Sequence, residues 1–257
     1  MAKSKAQGGP ALVWLRDDLR LSDQPALAAA VESGAPNLCL YVFDEDSPGL
    51  RPLGGASRWW LHHSLSALAA SLEAIGGRLD ILRGRAGELV PSVARAADAS
   101  SVFWTRRYEA GAIEIDSGVK GELSADGMRV ESFNGQLLFE PWTLRTKTGD
   151  YYKVFTPYWK ACLALPSPAA PTPAPRKLKG APWPSDAPKR VNLDSLQLLP
   201  KKPDWAGGMR EAWTPGEAGA KARLAEFLDV GLASYASHRD RPDISATSRL
   251  SPHLRLG

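Results

Sequence analysis

Up to about residue 160, short apolar runs with almost no polar alternation take turns with longer stretches whose apolar residues recur every three or four positions. Ala11–Leu15 (ALVWL), Leu38–Phe43 (LCLYVF), Leu79–Leu82 and Ser101–Thr105 (SVFWT) have the continuous hydrophobicity of strands buried on both faces, and Met128–Phe133 is a weaker fifth. Helices with recognisable ends lie between them. Ser22 or Asp23 can cap one that runs from Pro25 to about Glu32, with Gly34 after it. Across Arg58–Ile75, Leu61, Leu65, Leu68, Leu72 and Ile75 repeat at spacings of 4, 3, 4 and 3, which is one apolar stripe, and Gly76-Gly77 stops it. Strands that alternate with helices need crossover connections. These are right-handed and give a parallel sheet covered on both faces. The predicted fold is therefore α/β, a Rossmann-like domain over residues 1–160.

Proline then interrupts the pattern. Of 21 prolines, eleven fall between Pro166 and Pro215, and five of those lie in Pro166–Pro175 among Ala, Ser and Thr. Such composition has little apolar surface to bury and favours extended polyproline II, so residues 161–213 read as a semi-rigid linker. Helical signal resumes beyond it. Thr214-Pro215-Gly216-Glu217 has the form of a capping box with proline at the first helical position, and Leu224, Phe227 and Leu228 follow as an apolar face up to Gly231. Residues 214–257 are predicted as the start of an all-helical domain. Near the end, Ser251 suits an N-cap and Pro252 a first helical residue, yet the sequence stops at Gly257. An isolated helix needs about 12 to 15 residues to be even marginal in water. The expectation is an incomplete gene product, cut within its helical domain.

Composition excludes several classes. Hydrophobic residues at 44% and charged residues at 23% are those of a globular protein. No apolar run reaches the ~18 to 20 residues of a membrane span, and the polar start Met1–Pro10 lacks the apolar core of a signal peptide. Two cysteines, Cys39 and Cys162, supply neither a disulfide framework nor a four-ligand zinc site, which points to a reducing cytoplasm. The net charge of +4 is uneven: 18 Lys+Arg against 19 Asp+Glu up to Lys160, then 14 against 9.

Familiar catalytic patterns are missing. There is no HExxH, no GxGxxG after the first strand, no GxxxxGK[ST] loop and no GxSxG elbow. His62 and His63 fit packing or surface roles on the long amphipathic helix. Arg16-Asp17-Asp18-Leu19-Arg20 lies at the carboxyl end of the first strand, where α/β sheets place ligands, but its spacing reads first as an ion-paired loop that fixes the following helix. Thr247–Ser251 offers three hydroxyls just ahead of a helix start, a donor set for phosphate; on composition alone a plain capped turn is the favoured reading. Tyr235, Arg239 and Arg241 add a ring and guanidinium groups upstream. The residues themselves thus offer an anion-binding candidate in a basic segment, and no nucleophile or general base.

Three segments together resemble the DNA photolyase/cryptochrome family, and within it the class I cyclobutane pyrimidine dimer photolyases. They are Val13–Leu27 (VWLRDDLRLSDQPAL), Tyr152–Tyr158 (YKVFTPY), and the stretch holding Tyr235, Arg239-Asp240-Arg241-Pro242 and Thr247–Leu254 (TSRLSPHL). The resemblance implies FAD held by Tyr235, Thr247, Ser248, Arg249, Leu250 and Ser251, with Arg239 on DNA. It implies light-driven repair of pyrimidine dimers by electron transfer from reduced FAD, by a cytoplasmic monomer whose partner is damaged DNA. A cryptochrome-type light receptor and a non-catalytic truncated relative are the alternatives. No catalytic residue or metal ligand is expected within this chain, and the segment alone is expected to be inactive. Where folate-binding relatives carry an Asn-Glu pair, Gly111-Ala112 stand here, so the resemblance leaves the antenna chromophore open.

Overall fold

The computed structural model describes residues 8–256. Five parallel strands, β1 (Ala11–Leu15), β2 (Asn37–Phe43), β3 (Leu79–Arg83), β4 (Ser101–Thr105) and β5 (Arg129–Phe133), form one sheet in the order β3-β2-β1-β4-β5. Four helices cross between them: α1 (Pro25–Glu32), α2 (Gly55–Ala74), α3 (Ala86–Ala96) and α4 (Ala110–Ala125). This is the doubly wound arrangement expected from the alternating pattern, and each strand lies within a residue or so of its predicted position.

Side chains alternate across the sheet and build two cores. Ala11, Val13, Leu15, Cys39, Tyr41 and Phe43 face α1 and α2. Leu12, Trp14, Leu38, Leu40, Val102 and Trp104 pack with the buried residues of α3 and α4 on the opposite face. The predicted stripe on α2 is real: Leu61, Leu65, Leu68 and Leu72 are all buried. Each such burial contributes about 1.5–3 kcal/mol relative to exposure.

Two expected caps are not formed. α1 is capped by Gln24, whose side chain accepts from the Leu27 N–H, and not by Ser22 or Asp23. Asp23 has φ 51° and exchanges hydrogen bonds with Thr172 instead. The box at Thr214–Glu217 fails because Gly216 turns the chain with φ 97°, so the helix begins only at Glu217 and takes no side-chain cap. The Glu217 carboxylate is drawn to another part of the molecule, described below.

After the sheet come α5 (Phe155–Leu163), α6 (Gly207–Ala212), α7 (Glu217–Glu226), two short turns over Phe227–Gly231 and Leu232–Ser234, α8 (Tyr235–His238) and α9 (Ser251–Leu256). The proline-rich stretch is not bare connector. Leu178, Leu196 and Leu198 are buried in the α1/α2 core. Lys179 and Ala181 bracket Asn37 with backbone hydrogen bonds of 2.7 and 2.9 Å, the Leu178 N–H donates to Ile75, and the Val191 N–H donates to Ile81 on β3. The segment is a strap laid against the sheet domain. Among the described residues no helix is long and apolar enough to cross a membrane. Most of the polar start at Met1–Pro10, and Gly257, lie outside the described residues.

Candidate functional site

In a sheet of this order the chain winds outward in opposite senses from β1, so the strand order switches between β1 and β4, and ligands of doubly wound folds bind outside the carboxyl ends of those strands. Here that position is filled with ion pairs. Buried Arg16 donates from Nη1 to both oxygens of Asp116 at 2.7 and 2.8 Å and to the Thr105 carbonyl at 3.2 Å, while Trp104 Nε1 donates to Asp116 at 3.0 Å. Asp18 accepts from the Arg16 N–H at 2.9 Å, from Thr105 Oγ1 at 2.6 Å and from the Gln24 amide. The loop after β1 is thus ion-paired and anchors α1 through Gln24, as its spacing suggested.

What remains of the crevice is a cavity of about 10 Å³ lined by Trp14, Arg16, Asp44, Arg107 and Ala112, among others. It is closed at one side by backbone contact between Gly49 and Gly111. A Cβ on Gly111 would stand 2.7 Å from the Gly49 carbonyl. No side chain fits there.

Asp17 is the hinge between this region and the helical segment. It accepts from Arg107 Nε and Nη2 at 2.8 and 2.6 Å, and Arg255 Nη1 of α9 lies 2.6 Å from Oδ2, the oxygen that also accepts from Arg107 Nε. Burial opposes its ionisation, but Arg107 and Arg255 outweigh that and hold the carboxyl below its ordinary value. Glu217 at the start of α7 accepts from the Leu21 and Ser22 N–H groups at 2.8 and 3.3 Å, and Lys221 donates to Ser22 Oγ at 3.0 Å. The loop following β1 therefore fastens both α7 and α9. Neither contact is visible in the sequence, because the partners are far apart in the chain and share no local pattern.

α9 is seated further by Leu256, which enters the α1/α2 core, and by His253, buried with its ring 4.9 Å from Trp60. Trp60 in turn meets Trp213 at 5.4 Å, and the Arg249 guanidinium lies 4.5 Å over the Trp213 ring. Burial pushes the His253 imidazole below its ordinary value, with Arg223 adding to the effect. His62 and His63 pack beside this cluster, His63 at 4.5 Å from Trp59. Among the described residues no group of His, Cys, Asp and Glu could hold a metal ion.

The candidate anion-binding residues lie just ahead of α9. Thr247 and Ser251 are exposed and Ser248 is half-buried, and none of the three hydroxyls has a hydrogen-bond partner among the described residues. Arg249 takes φ 53°, which turns the chain between them. Unengaged hydroxyls of this kind can donate to phosphate oxygens, while the Arg249 guanidinium lies on the Trp213 ring. Leu250 is half-buried. Tyr235 stands apart from them, its ring 5.7 Å from Phe227. Arg239 is exposed and 3.7 Å from Asp240, whereas Arg241 is engaged by both oxygens of Asp243. Arg239 is thus the freer guanidinium of the two. Sequence reasoning missed Asp17, Arg107, Glu217 and Arg255 as site-forming residues.

The profile of the DNA photolyase family matches residues 11–176. The chain is 47% identical over 248 residues to a deoxyribodipyrimidine photo-lyase of Agrobacterium fabrum, covering 96% of this chain and 50% of that one. It is 35% identical to Cryptochrome-1 of Arabidopsis thaliana, covering 97% and 36%. The crystal structure of a bacterial class III photolyase from Agrobacterium tumefaciens superposes with a TM-score of 0.89 at 45% identity, covering 98% of this chain and 51% of that chain. The chain spans about half the length of that photo-lyase and that solved structure. A 31.6 kDa uncharacterized protein of Synechococcus sp. strain PCC 6716 is nearer in size: it is 32% identical, with 84% of its length covered.

Proposed function

The chain belongs to the DNA photolyase family, and from that premise we propose that it serves light-driven repair of cyclobutane pyrimidine dimers in DNA, as the amino-terminal part of a deoxyribodipyrimidine photo-lyase. In this reading residues 1–160 are the antenna-type α/β domain, 161–213 the strap and 214–257 the beginning of the FAD-binding domain. The observation that carries it is the unengaged hydroxyl set Thr247, Ser248 and Ser251 at the start of a helix docked onto the α/β domain.

FAD, when bound, supplies the electron that opens the dimer. The residues of this chain bind and orient. Thr247, Ser248 and Ser251 donate hydroxyl hydrogen bonds to phosphate oxygens, and Arg249 adds positive charge beside them. Leu250 and Tyr235 provide apolar and aromatic surface. Arg239, exposed in the basic last third, meets a DNA phosphate; such contacts position the protein without reading sequence. No general acid or base is required of this chain, in keeping with the lack of such a constellation in its sequence. An asparagine at position 111 would collide with the Gly49 backbone, so the Asn-Glu pair of folate-binding relatives has no counterpart at Gly111-Ala112, and the antenna chromophore stays open. The protein is taken to work as a cytoplasmic monomer on damaged DNA.

The test is dimer repair by the flavin-loaded gene product at its natural length, assayed under blue light and in darkness. Light-dependent loss of dimers is expected. A flavin-loaded protein that repairs none discards the reading in favour of a light receptor, the alternative supported by the 35% identity to Cryptochrome-1.

A further inference from the structure

The ion cluster under α9 has a property that neutralisation alone does not explain. Asp17 is 6% exposed and is already matched by Arg107, which grips it through two nitrogens. One fork-shaped guanidinium satisfies one carboxylate. A second guanidinium, Arg255, nevertheless reaches the same carboxylate from the far end of the chain at 2.6 Å. Only the carboxylate is buried, since the Arg255 side chain is 53% exposed; a pair of this kind adds little net stability, and the best-attested use of such ionic contacts is to fix one geometry.

The geometry being fixed is that of α9. The described residues of α9 meet the α/β domain through His253, Arg255 and Leu256. Leu256 and His253 supply apolar contact, which tolerates rotation; the Arg255–Asp17 pair is the directional one. Arg255 lies four residues after Ser251, on the same helix face, so the pair sets which way the first turn and the hydroxyl segment before it point. Glu217, held by the Leu21 and Ser22 N–H groups, fastens α7 to the same loop.

We propose that Asp17 and Arg255 are positioning residues that hold α9, and with it Thr247–Ser251, in the orientation that receives the flavin phosphates. The ligand in this statement rests on the photolyase reading; the orientation does not.

The test uses the gene product at its natural length, with Arg255→Met, Arg255→Lys and Asp17→Asn compared with the parent protein. Amide hydrogen exchange is followed without flavin, and FAD binding is followed by titrating the apoprotein. In Arg255→Met, exchange over residues 249–256 should rise about tenfold while β1 and β4 stay protected, and FAD should bind about tenfold more weakly. Arg255→Lys keeps the charge and one donor and should recover most of both. Unchanged exchange over 249–256 in Arg255→Met overturns the proposal, whatever happens to FAD. Weaker FAD binding with unchanged exchange also overturns it, since Arg255 would then act on the flavin directly. If the parent protein binds no FAD, the photolyase reading fails, while the exchange arm still decides the orientation. Asp17→Asn should loosen the same amides; if it fails to fold, the two Arg255 variants decide alone.

Discussion

Replacing Asp116 by Asn should be among the more damaging isosteric changes in the α/β domain. The aspartate is the charge partner of Arg16, whose side chain is 3% exposed, and it also accepts from Trp104 Nε1. Asn offers one acceptor oxygen where Asp offered two, and its amide hydrogens would oppose either the guanidinium or the indole N–H. Removing one member of a buried pair typically costs 3–5 kcal/mol. Arg16 keeps the Thr105 carbonyl at 3.2 Å and one oxygen of residue 116, which favours the lower end, about 3 kcal/mol. For a chain of this size that corresponds to a fall of roughly 6–12 °C in thermal midpoint. Urea unfolding monitored by tryptophan fluorescence reads the change directly, provided the slope m is unaltered. The double variant Arg16→Met/Asp116→Leu removes both charges and should recover part of the loss, the remainder reflecting the Trp104 indole N–H and the Thr105 carbonyl that lose their partners. An Asp116→Asn protein within 1 kcal/mol of the parent at equal m would refute the argument, because it would mean that the guanidinium is solvated and not held by this carboxylate.

Other expectations concern the helical segment. Glu217→Ala should cost about 1–2 kcal/mol locally, since two backbone N–H groups lose a charged acceptor; faster amide exchange at Leu21 and Ser22 is the readout, and unchanged exchange there refutes it. His253 is held below its ordinary pKa, so the unfolded chain binds a proton first as pH falls. Its contribution is therefore complete above about pH 6.5 and declines below it, and His253→Leu should flatten that part of the stability profile. Asp17 has the usual carboxylate sign: its contribution is complete above about pH 4 and is lost only as pH falls through its lowered folded value, so Asp17→Asn should remove part of the acid limb. Arg239→Ala in the natural-length protein should weaken DNA binding and reduce the salt slope by about one; an unaltered slope would exclude a phosphate contact.

The sheet was legible because its strands are buried on both faces, so Ala11–Leu15 and Ser101–Thr105 carry their signal within five residues each. The helix caps were not, since a cap depends on backbone dihedrals that composition does not specify. Gly216 at φ 97° breaks a motif that reads well as letters, and Gln24, an uncommon cap, takes the place of two common ones. The strap was misjudged because Leu178, Leu196 and Leu198 are single apolar residues in a proline-rich average, and it is their placement that buries them. For the site, Thr247–Ser251 was visible as a local cluster of donors. Asp17 and Arg255 could not be paired in advance, because only the finished fold brings the end of β1 against α9.

The strap also bears on the exposed edge of the sheet. β3 is an outer strand, and an outer strand with free carbonyl and N–H groups invites a stranger's strand to join it. The Val191 N–H donates to the Ile81 carbonyl, and Arg190 pairs with the Asp80 carboxylate at 2.8 Å, so part of the margin is occupied from within. The cover does not itself become a new margin: Pro182, Pro184 and Pro188 in the approaching stretch have no N–H to offer a further ladder. A proline run that looks like slack between two domains thus narrows the stretch of sheet edge that a foreign strand could pair with.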